Sequence, residues 1–302
     1  MKIKISALDL CLAIMVTISW GFNFVFSKIA LEIMPVYSLL FLRFLVMSLI
    51  FLPFYPRPPV KIKKIFIIAI VFSVCHLGTM YSALRLGLNS SIAVFVEQLT
   101  IPFLLIMGVF IFKEKINAKL MIGVLCAFLG TFILLGTPNS LGNMFAFLLI
   151  VISAFFWALY SILLKKVGNV SPMAITTWIS VISVFISLTM VLLFEDVTIY
   201  NWGFISNASI LHLFSIFFVC FAPSILGHAI WYYLLVRNPV ESVAPILLLV
   251  PVFGVIGAVI FTSEELSLGL FLGGMLVIIG VAIDLVTPEK LAVQDKKCAK
   301  QS

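Results

Sequence analysis

Apolar stretches of the length of a membrane-spanning helix follow one another along nearly the whole sequence. A helix needs about 20 apolar residues to cross the hydrocarbon core of a bilayer. Hydrophobic residues make up 63% of the 302 residues and charged residues 10%, against about 25% charged residues in a soluble domain. The sequence therefore predicts an all-α polytopic membrane protein. Its ten predicted transmembrane helices cover residues 8–30, 36–55, 65–86, 90–112, 118–136, 142–164, 173–194, 208–235, 240–262 and 267–286.

The positions of the basic residues predict how these helices are oriented. If the N-terminus is cytoplasmic, 16 of the 19 Lys and Arg residues fall on the cytoplasmic side, leaving Lys28 and Arg85 near the outer surface and Arg43 inside a span. Because cytoplasmic loops are enriched in Lys and Arg, we expect both termini in the cytoplasm. The basic residues behind the net charge of +7 would then orient the helices in the membrane and contact acidic lipid headgroups. No nucleic-acid partner is expected.

Residues in the first half of the chain recur in the second half at a nearly constant spacing. The stretch "TISWGFNFVFSKIALEIMP" aligns with "AFFWALYSILLKKVGNVSP" at a shift of 137, and later positions align at shifts of 149 and 150. The identical pairs are Trp20 and Trp157, Lys28 and Lys165, Pro35 and Pro172, Pro102 and Pro251, Glu114 and Glu264, Gly123 and Gly273, and Gly130 and Gly280. We predict two five-helix repeats, residues 1–139 and 140–287, and a flexible cytoplasmic tail at 288–302.

The odd number of helices in each repeat predicts how the two halves are related. Two homologous units of five spans must enter the membrane in opposite directions, which makes them inverted repeats. Inverted repeats are typical of secondary transporters, whose substrate sites lie near the middle of the membrane where the halves meet. In this arrangement Lys28 and Lys165 end equivalent helices at opposite surfaces, and we expect both ammonium groups to reach the lipid headgroups.

Several stretches of the sequence resemble a known transporter family. They are "SWGFNFVFSKIALEIMP" in helix 1, "LRF" in helix 2, "YSALRLGLNSSIAVFVEQLTIPFLLIMGVFIFKEK" over helices 3 and 4, and "APILLLVPVFGVIGAVIFTSEELSLGLFLGGMLVIIGVAID" over helices 9 and 10. In them the chain resembles the EamA-type transporters of the drug/metabolite transporter superfamily, over about residues 8–286. The chain departs from the usual Gly-Glu of the family's loops, where it has "KEK" and "SEE".

The resemblance implies a ten-helix, multi-pass protein of the bacterial inner membrane that moves small metabolites, commonly outward. The pattern in helix 1 is most similar to the branch that exports amino acids and their derivatives, such as cysteine and acetylated serine. A small-molecule metabolite and the lipid bilayer are the partners that this resemblance implies.

Ionisable residues at membrane depth mark candidate binding positions, because each costs about 2.5–3.5 kcal/mol on insertion scales. Glu97 lies near the middle of helix 4 beside Gln98, and could attract a substrate ammonium group or bind and release a proton. Arg43 lies within helix 2 and could hold a substrate carboxylate through bidentate hydrogen bonds. For Glu97 the structural alternative is an acid paired with Arg43 or with a hydroxyl. For Arg43 it is a buried ion pair or a guanidinium that reaches the outer interface.

Aromatic and amide side chains complete the predicted substrate-binding set. The aromatic residues that could wall a cavity and stack on an ammonium group are Trp20, Tyr81, Trp157, Tyr160, Trp231 and Tyr232. Many aromatic residues merely pack in a chain with 29 Phe. Asn23 could contact the substrate or form an interhelical hydrogen bond. The full set is Trp20, Asn23, Arg43, Tyr81, Glu97, Gln98, Trp157 and Tyr160, with Glu97 as the candidate for proton coupling.

No metal, cofactor or catalytic site is expected. The five cysteines include no C-x-x-C pair, and we interpret His76, His212 and His228 as structural because they match no ligand spacing. The sequence lacks G-x-x-x-x-G-K-[ST], H-E-x-x-H and G-x-S-x-G, so enzyme chemistry of these kinds has no support. The G-x-x-x-G of Gly269 and Gly273 predicts close helix packing, within one chain or in a homodimer.

These features predict a secondary transporter that exports small amino-acid-like metabolites by alternating access. The driving force would be the substrate gradient or the membrane potential, which supplies about 2.3 kcal/mol per charge at 100 mV. One alternative is import of a larger metabolite such as S-adenosylmethionine or a nucleotide-linked compound. The other is a membrane-embedded enzyme or a structural partner protein.

Overall fold

The computed structural model describes residues 6–112, 118–137, 143–167, 170–195, 208–237 and 244–285. Within these ranges the chain is helical, without β-strands, and adjoining helical segments join into ten helices, which confirms the predicted all-α fold. The helices are α1 (Ala7–Ile33), α2 (Val36–Phe51), α3 (Ile62–Arg85), α4 (90–112), α5 (Ala118–Leu135), α6 (Met144–Lys165), α7 (Pro172–Phe194), α8 (210–237), α9 (244–262) and α10 (Leu268–Leu285). The predicted tail at 288–302 and Glu114 lie outside the described residues.

The helices have the composition and the outer surface that a bilayer requires. Among the described residues, four helical stretches are long and apolar enough to cross a membrane: Ala7–Ile33, Ile62–Arg85, Met144–Lys165 and Met173–Phe194. The remaining helices contain apolar stretches of 10–17 residues. Large apolar side chains lie exposed on the outside of the bundle, as in α5, where Phe132 is 72% exposed. Water-soluble monomers rarely expose extended apolar surface, whereas lipid covers it at no cost.

Polar residues explain where two helices of the second half begin. The side chain of Asn143 accepts a hydrogen bond from the amide of Ala146 at 3.1 Å at the start of α6. Ser171 accepts one from the amide of Ala174 at 3.4 Å, and Pro172 follows as the first residue of α7. Such side chains supply the acceptors that the first turn of a helix lacks, and proline is favoured at the first helical position.

Within the described ranges, four helices contain an irregular segment, and these segments occur at matching places in the two halves. The third helix of each half has a π-helical segment, Val71–Gly78 in α3 and Ala222–Ala229 in α8. The fourth helix of each half has a 3₁₀ segment, Glu97–Leu99 in α4 and Ala244–Leu249 in α9. Because such segments inside helices often mark functional sites and hinges, the matched breaks point to the region where these helices meet.

Helices of the two halves pack against each other reciprocally. The first helix of the first half, α1, packs against α8 and α9, and the first helix of the second half, α6, packs against α3 and α4. The second helices, α2 and α7, pack together, as do the fifth helices, α5 and α10. Exchanging every helix for its counterpart leaves this set of neighbours unchanged, which is the pattern that a two-fold relation between the halves produces.

Glycines at the contact between α5 and α10 follow the same exchange. A Cβ atom at Gly130 would lie 2.6 Å from the carbonyl oxygen of Gly273, and one at Gly280 would lie 2.5 Å from that of Gly123. The repeat pairs Gly123 with Gly273 and Gly130 with Gly280, so exchanging the halves converts each contact into the other. The G-x-x-x-G of α10 therefore contributes Gly273 to a contact within one chain.

Replacing Gly130 by Ala tests this close approach of the two backbones. The added methyl group would meet backbone atoms of α10 that can move only with the whole helix, and overpacking of this kind costs about 1–3 kcal/mol. We expect a lower melting temperature in detergent, followed by tryptophan fluorescence. The control is Gly78→Ala, where the new Cβ would meet no atom closer than 3.4 Å. Equal melting temperatures for the two variants would contradict the tight contact between α5 and α10.

Candidate functional site

A cavity of about 190 Å³ lies inside the bundle between the two predicted halves. The described lining residues come from seven helices, namely α1, α2, α3, α4, α6, α8 and α9, and each of the four irregular segments contributes at least one of them. Among the described residues, its polar and aromatic lining is formed by Trp20, Asn23, Phe24, Arg43, Phe72, His76, Glu97, Gln98, Thr100 and Trp157. The volume is far larger than the about 10–15 Å³ that one water molecule needs, so the cavity can hold a small solute.

Glu97 projects its carboxyl group into a polar cluster at the cavity wall. It begins the 3₁₀ segment of α4, and its Oε1 lies 3.3 Å from the Ser153 hydroxyl and 3.3 Å from Nδ1 of His76. Its Oε2 is buried and has no hydrogen-bond partner among the described residues. An unpaired buried carboxyl oxygen is costly unless something binds it, so this atom is a candidate contact for a bound cation or a hydrogen-bond donor.

His76 belongs to the same cluster, and its interpretation as merely structural overlooked its position at the cavity. Its Nδ1 lies 2.8 Å from the Ser153 hydroxyl and 3.2 Å from the Ser153 carbonyl oxygen. The repeat contains a signal for it, because at a shift of 152 the residues His76, Tyr81 and Arg85 fall on His, Tyr and Arg of α8. Ser153 carries no such signal and is recognised only from the packing of α6 on α3.

Arg43 provides a buried cation on the cavity wall. Arg43 is only 4% exposed, and its Nη1 donates a hydrogen bond to the hydroxyl of Tyr81 at 2.6 Å. Within the described part of the chain, no carboxylate lies within 4.0 Å of the guanidinium, and Glu97 pairs with His76 instead. Glu97 and Arg43 therefore do not form the ion pair that was the structural alternative.

The two repeat-related tryptophans contact the π-helical segments of the opposite halves. Trp20 in α1 donates its indole N–H to the carbonyl oxygen of Pro223 at 3.3 Å and packs closely on Gly227. Trp157 in α6 lies with its ring centre 4.7 Å from that of His76. Both side chains line the cavity. The pairing of these tryptophans in the sequence thus corresponds to equivalent positions around the cavity.

The remaining predicted residues divide between the cavity and its surroundings. Asn23 and Gln98 line the cavity, and Asn23 also accepts a hydrogen bond from the Ser27 hydroxyl at 3.4 Å. Tyr81 is fully buried and supports Arg43 without lining the cavity. Tyr160 lines a smaller neighbouring cavity of about 30 Å³, which shares Arg43 and Phe72 with the main one. The structure thus brings six of the eight predicted residues to the main cavity and puts the two tyrosines beside it.

The fold and its apolar helices define a multi-pass membrane protein, and a cavity with polar residues in its wall lies between two sets of helices. The chain belongs to the EamA-like transporter family, whose model matches residues 8–136 and again residues 144–285. The resemblance seen in the sequence is thereby confirmed, and it classes the protein with transporters rather than with enzymes.

Curated relatives of the chain span nearly its whole length. A "Probable amino-acid metabolite efflux pump" of Salmonella typhimurium is 30% identical over 280 residues, covering 91% of this chain and 93% of that protein. A protein of the same description from Escherichia coli is 30% identical over 287 residues, covering 92% and 94%. A solved crystal structure superimposes with a TM-score of 0.62 over 95% of this chain and 99% of that one, at 15% identity, and so shares the fold.

The hydrogen bond between Tyr81 and Arg43 leads to a stability prediction. Tyr81→Phe removes the acceptor at 2.6 Å and leaves a guanidinium N–H unpaired at membrane depth, which costs about 1–3 kcal/mol for a buried polar group. We expect a lower melting temperature in detergent than for the parent protein. Tyr55→Phe serves as control, because the Tyr55 hydroxyl has no hydrogen-bond partner among the described residues. Equal melting temperatures for both variants would contradict a supporting role of Tyr81.

Proposed function

We propose that the protein is a secondary transporter that exports small amino-acid-like metabolites across the bacterial inner membrane by alternating access. The observation that carries the proposal is the pair of ionisable groups on the cavity wall, Arg43 without a carboxylate partner among the described residues and Glu97 with an unpaired buried oxygen. A zwitterion offers a partner to each group. The printed descriptions of the relatives from Salmonella typhimurium and Escherichia coli agree with this substrate class.

Arg43 is proposed to bind the substrate carboxylate. A buried cation is strongly unfavourable unless it is paired and hydrogen-bonded, and Tyr81 accepts only one of the five N–H groups of the guanidinium. A carboxylate in the cavity could accept two parallel hydrogen bonds from the remaining donors. This interaction would bind the substrate whether or not a proton is transported.

Glu97 is proposed to bind the substrate ammonium group, and to exchange a proton when the substrate is absent. The Ser153 hydroxyl and His76 both lie near Oε1, which leaves Oε2 for the ligand. Trp20 and Trp157 offer aromatic faces on which an ammonium group can stack. Asn23 and Gln98 also line the cavity. Their amide groups could donate hydrogen bonds to the substrate and accept hydrogen bonds from it.

The transport mechanism is proposed to rest on ten transmembrane helices in two inverted repeats, residues 1–139 and 140–287, with both termini in the cytoplasm. The family model matches the chain twice, and the helix neighbours and glycine contacts exchange between the halves. The five helices of each half and the distribution of Lys and Arg support opposite insertion. Rocking of the halves about the cavity would then expose the same groups to each side in turn, with a homodimer as one arrangement in the membrane.

The other transport hypothesis fits the cavity less well. A nucleotide-linked substrate would need several buried cations for its phosphates, and of the described residues that line the cavity only Arg43 is an Arg or Lys. S-adenosylmethionine is also larger than an amino acid, so a cavity of about 190 Å³ suits an amino acid better. A purely structural protein would have no use for ionisable groups buried at membrane depth. These considerations favour a small zwitterion.

Purified protein in proteoliposomes provides the direct test of the two charged groups. We expect Arg43→Met to lower amino-acid counterflow by at least about tenfold, since a hydrogen-bonded charged group contributes about 1.5–3 kcal/mol. Glu97→Gln should lower counterflow and flatten its pH dependence, because the variant removes a titratable group. Lys166→Met, which removes an exposed charge at the end of α6, is the control. Wild-type rates and pH profiles in both cavity variants would contradict the proposed roles.

Metabolite profiling of the growth medium tests substrate class and direction together. Cells that overproduce the protein should accumulate one or a few amino acids or their derivatives outside, relative to cells carrying the Arg43→Met variant at equal abundance. The common property of the exported compounds should be a free carboxylate. Accumulation inside the cells, or export of compounds without a carboxylate, would contradict the proposal.

A further inference from the structure

Three carboxylates link the two halves at one end of the bundle, away from the cavity. We call this end the α1–α2 face, since it contains the turn between α1 and α2 (33–36), the turn between α3 and α4 (86–89), the start of α8 (208–210) and the turn between α9 and α10 (263–267). The three carboxylates belong to Glu32, Glu195 and Glu264. Each of them contacts a helix of the other half, so the α1–α2 face is joined at several points.

Glu264 forms the most extensive of these links. Its Oε1 lies 2.9 Å from Nζ of Lys28 in α1, and accepts hydrogen bonds from the Ser90 amide at 2.7 Å and the Ser90 hydroxyl at 2.9 Å. Its Oε2 accepts from the Ser91 amide at 3.0 Å and from the Ser91 hydroxyl. The Glu264 side chain is only 4% exposed. Lys28 therefore pairs with a buried acid, and the expectation that its ammonium group reaches the lipid headgroups is wrong.

Glu195 forms a second link of the same kind. It follows α7 and accepts hydrogen bonds from the amides of Tyr37 at 2.6 Å and Ser38 at 3.1 Å, and from the Ser38 hydroxyl. In both links a carboxylate of the second half supplies acceptors for the unpaired amides that begin a helix of the first half, α4 or α2. A negative charge is also favoured at the positive end of a helix dipole.

Glu32 contributes a third, weaker link. Its carboxylate lies 3.1 Å from Nε2 of His212, whose Nδ1 contacts Ser209 at the start of α8. The Glu32 side chain is 59% exposed, and exposed ion pairs contribute little to stability. The buried links of Glu264 and Glu195 therefore dominate at this face.

We propose that Glu264, with Lys28, Ser90 and Ser91, acts as a latch that keeps the α1–α2 face closed, and that its release opens the cavity to that side. The proposal rests on the proposed function, since it assigns a device to alternating access. The latch joins α1 and α4 of the first half to the turn between α9 and α10 of the second half. These three elements cannot separate at this face while all five contacts persist.

The same helix connects the latch to the cavity. Ser90 and Ser91 begin α4, and Glu97 lies at the end of its first regular segment, Ser90–Val96. A change in the position of this short segment would therefore move the latch serines and the cavity carboxyl group together. Binding of a substrate ammonium group at Glu97 and loss of the latch would then be coupled through one rigid element.

The ionisation of Glu264 allows the latch to form at neutral pH. Burial raises the pKa of the Glu264 carboxyl, but the Lys28 ammonium and hydrogen bonds from Lys28 and Ser91 outweigh burial, so the pKa lies below its ordinary value. The stabilisation is then fully present above the ordinary glutamate pKa of about 4.3 and is lost as the pH falls through the lower folded pKa. Glu265, the neighbouring acid on the same turn, is exposed.

Labelling of a cysteine in the cavity tests the latch without any substrate. Met80, which lines the cavity on α3, is replaced by Cys in a protein whose five native cysteines are replaced. A membrane-impermeant maleimide is added to right-side-out and to inside-out vesicles. Glu264→Gln keeps the shape of the side chain but removes the charge. We expect labelling from the α1–α2 side to become at least about tenfold faster, the scale expected for loss of charge-assisted hydrogen bonds.

Two further variants keep the result decisive. Glu265→Gln removes an exposed charge from the same turn and should label at the parent rate. Lys28→Met removes the ammonium group that pairs with Glu264 and should accelerate labelling as well. This variant tests the latch if Glu264→Gln does not fold. Parent-like labelling in the folded latch variants, or equal acceleration by Glu265→Gln, would overturn the proposal.

Different results would contradict the latch, the orientation and the proposed function. Faster labelling of the latch variants from the cytoplasmic side would support the latch and contradict the proposed orientation. Failure of the parent protein to move any amino acid in proteoliposomes would contradict the proposed function, whereas the labelling rates do not depend on a substrate.

Discussion

The hydrocarbon core of a bilayer offers no hydrogen-bond partner to a peptide group, and this constraint shapes the whole structure. Backbone that leaves the α-helical pattern at membrane depth is tolerated where protein or a cavity can satisfy it. Here the four irregular segments, in α3, α4, α8 and α9, all reach the same cavity. The Pro223 carbonyl in the α8 segment, for example, accepts the indole N–H of Trp20. The site is therefore located where the helices are broken, and the regular parts of the bundle support it.

The reciprocal packing explains how one cavity acquires two similar walls. Trp20 contacts the π-helical segment of α8 and Trp157 that of α3, so each half contributes a tryptophan to the other half's break. The two charged residues of the cavity wall, Arg43 and Glu97, do not follow this symmetry, because both belong to the first half. We infer that the repeated parts provide the architecture, while residues present in only one half provide the chemistry that distinguishes one end of a substrate from the other.

The sequence predicted the helices well, because they depend on local, periodic patterns, whereas the two-repeat division at 1–139 and 140–287 stays a prediction. It also singled out Arg43 and Glu97, since any charge in an apolar span is conspicuous. It could not predict that Lys28 would pair with Glu264, 236 residues away, because such a contact depends on how the halves pack. The π-helical segments were missed for a related reason: side chains of neighbouring helices decide whether an apolar run keeps a regular α-helical pattern.

The central claim is that two units of opposite polarity enclose the cavity, and the sidedness of equivalent helix ends tests it most directly. Glu32 and Lys166 lie at exposed positions near the ends of α1 and α6, the first helices of the two halves. Single cysteines at these positions should react with an impermeant maleimide from opposite sides of the membrane, position 32 from outside and position 166 from the cytoplasm. Reaction of both cysteines from the same side would contradict the account.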